Sequence, residues 1–486
     1  MSAVQVVTTG VMLFALYRYL LSAIGVEQMG VWAVVLATCS VSRISELGLS
    51  GSVVKFVAKY MMHGDTRSVS EVIQTAVISI GVGVCGILWI AYPFLTWILG
   101  RIMPAPSLKD ALSVLPYALI SLWINAVAGG IQSGLDGCRR LDLRSFIMIG
   151  SNALYLLLTV MLVPVHGLMG LAYGQVIQST TVLLTSWFIL RRELPILPFA
   201  PFQWRKNLFA EMICYGINFQ LISVTGMLLF EPVTKGLLSK FGDLSMVGYY
   251  EMASRMMNKL REIFVAANQI LVPVIAGLHE KSPDKIQDVY KNAYRILLCL
   301  GLPFYSCIVI AVPFISELWI GRYEKIFVVF SLMLALGTFF NNLNVPAYFA
   351  YMGIGRLRWN IATNIVTGIL NCVLGVALGL YFGGTGVVAA WMLAWAFGSS
   401  VVIFAYHSEY SVSLSELFPV ENKWLAVASS LGALSGLFIY YLLWKKMNVF
   451  LPGMLCFTVF FMLVSPPLWF HPLRMRFTEW LTQERN

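Results

Sequence analysis

The chain has 486 residues, of which 59% are hydrophobic and only 12% charged. Soluble domains run about 45–50% apolar and about 25% charged, which argues against a soluble multidomain enzyme and for a chain solvated by lipid. The formal charge of +10 does not point to nucleic acid, because Lys and Arg fall in short clusters between apolar runs, the pattern of membrane orientation.

A helix needs roughly 20 apolar residues to cross a hydrocarbon core of about 30 Å. That length predicts fourteen spans, near 3–24, 29–53, 71–98, 110–133, 145–165, 168–190, 208–230, 246–275, 292–315, 326–350, 359–382, 385–406, 424–444 and 450–470. The expected class is therefore an all-α integral membrane protein with 14 transmembrane helices. The first run, "MSAVQVVTTGVMLFALYRYLLSAIG", lacks a basic leader and reads as a retained helix rather than a cleaved signal. It carries Arg18 with no acid within a turn. The second run holds "TCSVSRISELGLSG" (38–51), in which Arg43 and Glu46 are three apart and share a helix face. In the third, "GVGVCG" (81–86) matches GxGxxG, but it follows no strand and reads as small-residue helix packing. Gly-rich turns at "VPVHGLMG" and "YFGGTG" separate the fifth from the sixth span and the eleventh from the twelfth.

The eighth span is apolar except for one stripe. At 100° per residue Glu251, Arg255, Asn258, Lys259, Glu262 and Gln269 fall within an arc of about 100°, with Arg261 off it. Asn125, Gln132, Gln175, Gln178, Asn218 and Gln220 are polar within other spans; each suits helix–helix hydrogen bonding more than sugar binding. The eight cysteines show no CxxC and read as small buried hydrophobes; the five histidines have no metal spacing. No cofactor is expected.

Lys and Arg set the orientation. Twenty lie in even-numbered loops and the C-terminal tail, and eight in odd-numbered loops, among them Lys235 and Lys240. Both termini are therefore predicted to be cytoplasmic. The remaining five, Arg18, Arg43, Arg255, Lys259 and Arg261, fall inside spans. A Lys or Arg at the bilayer centre costs about 2.5–3.5 kcal/mol on the insertion scale, so these should face a wet lumen or pair with acids. For Lys259 and Arg261 a structural ion pair is an equal reading. A cationic lumen favours an anion, and Arg forks suit phosphate oxygens.

The halves resemble each other at an offset of about 216–222 residues: "AYPFLTWILGR" (91–101) recurs as "AVPFISELWIGR" (311–322), "HGLMGLA" (166–172) as "GGTGVVA" (383–389), and "QMGVW" (28–32) as "MVGYY" (246–250). Six spans per unit predict two pseudo-symmetric six-helix lobes, 1–200 and 201–410, plus two C-terminal helices and a tail at 411–486.

"SELGLSGSVVKFVAKYMMHGD" (45–65) resembles the second-helix block of the O-antigen and exopolysaccharide flippases of the multidrug/oligosaccharidyl-lipid/polysaccharide (MOP) superfamily. "VGYYEMASRMMNKLREIFVAANQILVPVIAGLHEKSPDKIQDVYKNAYRI" (247–296) is similar to their eighth-helix block. The chain departs from the family in having Glu46 where Asp is usual, and two helices beyond the common twelve. The resemblance implies a MOP/MATE-like fold and a flippase carrying an undecaprenyl-pyrophosphate-linked oligosaccharide, an O-antigen (lipopolysaccharide) or exopolysaccharide repeat unit. Transport would run from the cytoplasmic to the periplasmic leaflet of a bacterial inner membrane. It implies Arg18, Arg43 and Arg255 as lumen groups for the pyrophosphate, by their helices rather than their register. Lys259 joins them, with Glu46, Glu251, Asn258 and Glu262 as supporting polar groups. In related flippases the last two helices form a groove for the lipid tail. A polysaccharide polymerase and a chain-length regulator are the partners such a transporter would meet, besides membrane lipids. An H⁺ or Na⁺ gradient or the membrane potential would drive it; export of an anion gains about 2.3 kcal/mol per charge per 100 mV.

Two alternatives stay open. A cation-coupled multidrug antiporter of the same superfamily needs membrane-embedded acids, which the first helix lacks but Glu231 supplies. A membrane glycan polymerase or ligase needs a large extracytoplasmic loop, and none is visible.

Overall fold

The computed structural model describes residues 2–40, 48–216, 230–413, 420–443 and 450–474, and among them no strand occurs. Nine helical segments of the described residues are long and apolar enough to cross a membrane, and Val7–Ala23 and Gly25–Cys39 are shorter apolar helices. In lipid a helix is the natural solution, since it satisfies its own backbone donors and acceptors.

Element ends follow local chemistry. Asp65 caps the helix Thr66–Ile102, accepting from the Ser68 hydroxyl at 2.6 Å and its N–H at 3.0 Å. Those two bonds hold the Asp65 carboxyl below the usual carboxylate range. Arg358–Glu409 runs for 52 residues, about 78 Å at 1.5 Å each, far more than one crossing. It breaks at Gly383 (φ 61, ψ −146), where the eleventh and twelfth spans were expected to part.

Helix breaks fall inside three expected spans. Within the second, Leu49–Met62 starts after Gly48 at φ 68, beyond Gly25–Ser40; residues 41–47 lie outside the described set. The eighth stops at Asn268 and restarts as Leu271–Lys281, with Pro273 in its first turn. The tenth divides into Lys325–Leu343 and Val345–Ile354, with Pro346 in the first turn of the second piece. Proline lacks an N–H, so it is tolerated where that donor has no intrahelical partner and helices restart there. The "GVGVCG" run is helical; a Cβ at Gly81 would meet Val127 at 3.8 Å, while one at Gly83 or Gly86 would meet nothing within 4 Å among the described residues.

Two turns share their local geometry. Gly167 has φ 56 and ψ −132, and Gly383, 216 residues later, φ 61 and ψ −146. Both turns lead into a glycine set against the carbonyl of the preceding helix, Gly170 on Leu162 and Gly386 on Leu378. Gly25–Ser40 also crosses the helix Leu244–Asn268 through a reciprocal pair. A Cβ at Gly30 would fall on the Leu244 carbonyl oxygen, and one at Gly248 on that of Val26. Gly30→Ala or Gly248→Ala is therefore expected to cost about 1–3 kcal/mol through overpacking. Thermal unfolding in detergent should show both destabilised, with Gly51→Ala, which meets nothing within 4 Å, unchanged or slightly raised.

The described chain forms two compact units, one of residues 1–252 and 371–387, the other of 253–370 and 388–486. Within the first, segment 194–205 lies along the start of Thr66–Ile102. Gln74 Oε1 accepts the N–H groups of Phe202 and Gln203, Thr75 accepts that of Arg205, and Ser79 accepts the Trp204 indole N–H. Glu71 pairs with Arg205 at 2.6 Å. Buried Glu71, Gln74 and Thr75 are thereby satisfied.

Candidate functional site

In the first unit three helices converge on Lys235. The sequence reading placed this lysine in an extracytoplasmic loop, after a seventh span ending near 230. The structure corrects that: Glu231–Phe241 is helical, and Lys235 lies inside it at 2% exposure. The Nζ stands 2.7 Å from Glu251 Oε2, on Leu244–Asn268, and 3.5 Å from Glu231 Oε2 one turn earlier. Glu251, 3% exposed, also accepts the Tyr17 hydroxyl at 3.0 Å from the helix Ser2–Ala23. Beside this set Thr234 and Asn371, both buried, hydrogen-bond at 3.1 Å. A single ammonium with two carboxylates at hand keeps the buried pair neutral, with Glu231 half-exposed at its edge.

The expected anion-binding residues are distributed between the units. Arg18, next to Tyr17, belongs to the first unit and is exposed. Arg255 and Asn258 are half-buried in the second. Lys259 pairs with Glu262 at 2.8 Å across one turn, so both are engaged locally. Glu251, expected as a supporting lumen group, pairs with Lys235 and accepts from Tyr17. Arg43 and Glu46 lie outside the described residues, as do Asn218 and Gln220. Asn125 and Gln132 behave as helix–helix glue, donating to Ser179 at 2.8 Å and Ser186 at 3.4 Å.

Lys235, Tyr17 and Asn371 were missed by sequence reasoning. The signal for Lys235 was present: Glu231 precedes it by four residues, the favourable helical order for a Glu–Lys pair, and "EPVTK" opens with Pro at a helix N-terminus. Tyr17 carries no such signal, being 234 residues from its acceptor.

The second unit holds an apolar cavity of about 1320 Å³ between the helix Ile286–Ile320 and the last described helix, Phe450–Trp469. Phe314, Leu318, Phe457, Phe461 and Met462 line it, and Glu317, which accepts the Tyr440 hydroxyl at 2.7 Å, marks a polar end. Such a groove suits a hydrocarbon tail with a polar terminus.

Comparison with known proteins follows the same lines. The model of the family Polysacc_synt_3, described as polysaccharide biosynthesis protein, matches residues 24–328. No curated protein matches the sequence. Among solved structures, the chain is similar to an inward-facing multidrug resistance MATE family transporter of the MOP superfamily, at TM-score 0.74 and 13% identity, covering 83% of this chain and 94% of that one. It is similar also to the lipid II flippase MurJ in an inward closed conformation, at TM-score 0.72 and 15% identity over 95% and 97% of the two chains. A third is a MOP superfamily transporter from Pyrococcus furiosus, described as having a binding pocket of reversed polarity, at TM-score 0.59 and 13% identity over 84% and 95%. The fold is MATE/MurJ-like.

Proposed function

Because the chain belongs to the polysaccharide biosynthesis protein family Polysacc_synt_3, we propose that it is a flippase for an undecaprenyl-pyrophosphate-linked oligosaccharide, an O-antigen or exopolysaccharide repeat unit. It is a multi-pass membrane transporter, not an enzyme. In this reading fourteen helices form two pseudo-symmetric lobes (1–200 and 201–410) with a C-terminal pair, and alternating access moves the headgroup from the cytoplasmic to the periplasmic leaflet. Arg18, Arg43 and Arg255 attract the pyrophosphate, and the membrane potential favours its export by about 2.3 kcal/mol per charge per 100 mV. The 1320 Å³ cavity beside the last helix takes the polyprenyl tail. The Lys and Arg distribution supports cytoplasmic termini, and the resemblance to O-antigen flippases supports a bacterial inner membrane. A polymerase and a chain-length regulator would take the delivered unit onward.

The observation that carries the reading is the family match itself, which runs through the region containing Arg43 and Arg255. The test is reconstitution. Liposomes containing the purified protein should bring fluorescent lipid-linked oligosaccharide to the outer leaflet faster than empty liposomes, and equal rates would refute the proposal.

A cation-coupled drug antiporter is the second reading, favoured by the membrane-embedded carboxylates Glu231 and Glu251 and by the MATE-like fold. The flippase reading expects no drug efflux above background; efflux abolished by Glu231→Gln would favour the antiporter instead.

A further inference from the structure

Arg261 stands apart from the groups assigned above. It lies on Leu244–Asn268, in the second unit, where an unpaired cation at membrane depth is costly. Its Nε donates to Asn341 Oδ1 at 2.8 Å. Asn341 is held in turn, since its Nδ2 donates to Ser399 Oγ at 3.2 Å, and Ser399 accepts a second bond from Asn344 at 2.9 Å. The guanidinium carbon lies 5.3 Å from the Trp395 ring, which stacks on Trp391 at 4.4 Å. Tyr305 and Tyr348 also lie within electrostatic range. Glu262, the adjacent acid, is taken by Lys259.

One N–H of five is therefore used, and the planar fork of the two terminal amino groups has no hydrogen bond or ion pair among the described residues. The side chain is locked on one edge by an amide and on one face by an indole, with its free edge preorganised. A fork of this kind matches one planar carboxylate in bidentate fashion. A doubly charged pyrophosphate calls for more than a single free cation. Amide, hydroxyl and aromatic groups around the fork suit a hydroxylated ring rather than a lipid.

We propose that Arg261, positioned by Asn341 and Trp395, is a subsite for the carboxylate of an acidic sugar in the transported glycan, separate from the groups that hold the lipid phosphates. The inference rests on the flippase reading, whose substrate class it narrows to uronate-containing oligosaccharides.

Calorimetry on the purified full chain in nanodiscs tests it with three probes: a glucuronate-terminated disaccharide, its glucose-terminated analogue, and undecaprenyl pyrophosphate. The wild type should prefer the glucuronate probe by about tenfold or more, the scale of a charge-assisted bidentate contact. Arg261→Gln should abolish that preference and leave undecaprenyl pyrophosphate binding unchanged. Arg261→Lys, which keeps the charge without the fork, should retain a reduced preference and guards against a folding defect in the glutamine variant. Equal binding of both disaccharides by wild type overturns the proposal. So does loss of undecaprenyl pyrophosphate binding in Arg261→Gln, which would assign the residue to the lipid phosphates. Glucuronate selectivity in a chain that translocates no lipid-linked glycan would keep the subsite and overturn the flippase reading instead.

Discussion

Lys235→Met is expected to destabilise the protein by about 3–5 kcal/mol, the range for removing one partner of a buried ion pair. The reason is geometric. Lys235 and Glu251 are 2% and 3% exposed and 2.7 Å apart. Without the ammonium, Glu251 would keep its bond from Tyr17 but would lose the cation 2.7 Å from its Oε2 in a buried site. Glu231 cannot substitute, being itself an acid. The double variant Lys235→Met with Glu251→Gln removes both charges and preserves an oxygen that accepts from Tyr17, so most of the lost stability should return. Thermal unfolding of the detergent-solubilised variants measures this. A double variant as unstable as the single would show that the pair contributes through packing rather than charge.

The second large effect concerns transport. Arg255→Ala and Arg43→Ala should each insert normally yet lower the translocation rate by about one to two orders of magnitude, because a charge-assisted bond to phosphate is worth about 1.5–3 kcal/mol. Lipid-linked oligosaccharide should accumulate on the cytoplasmic face while surface polysaccharide disappears. Lys259→Ala should have a smaller effect, since its ammonium is already committed to Glu262 at 2.8 Å. Normal surface polysaccharide in both arginine variants would remove Arg43 and Arg255 from the substrate path. The two experiments report on different properties: the Lys235 variants lose the folded protein, and the arginine variants lose only its work.

The helical, apolar character of the chain was legible because its causes are local. Length in apolar residues set the crossings, and the glycine turns at 167 and 383 fell where the backbone takes positive φ. Pro273 and Pro346 were visible too, yet their effect was not used: each marks a helix restart that divides an expected span. Lys235 and Lys240 were assigned to a loop, whereas Glu231–Phe241 is helical. Charge alone does not distinguish a solvated lysine from one buried against a carboxylate on the next helix.

By itself the sequence determined that this is a helical membrane protein, because hydropathy, helix length and turn chemistry act within a few residues. It also marked five cations within apolar runs, Arg18, Arg43, Arg255, Lys259 and Arg261. Only the tertiary structure decided what each one does. Tyr17 reaches Glu251 across 234 residues and Arg261 reaches Asn341 across 80, separations at which no periodicity operates. Helix packing turns particular faces together. That rotation sets Lys235 against Glu251, leaves Lys259 paired with Glu262, and fixes Arg261 between Asn341 and the Trp395 ring.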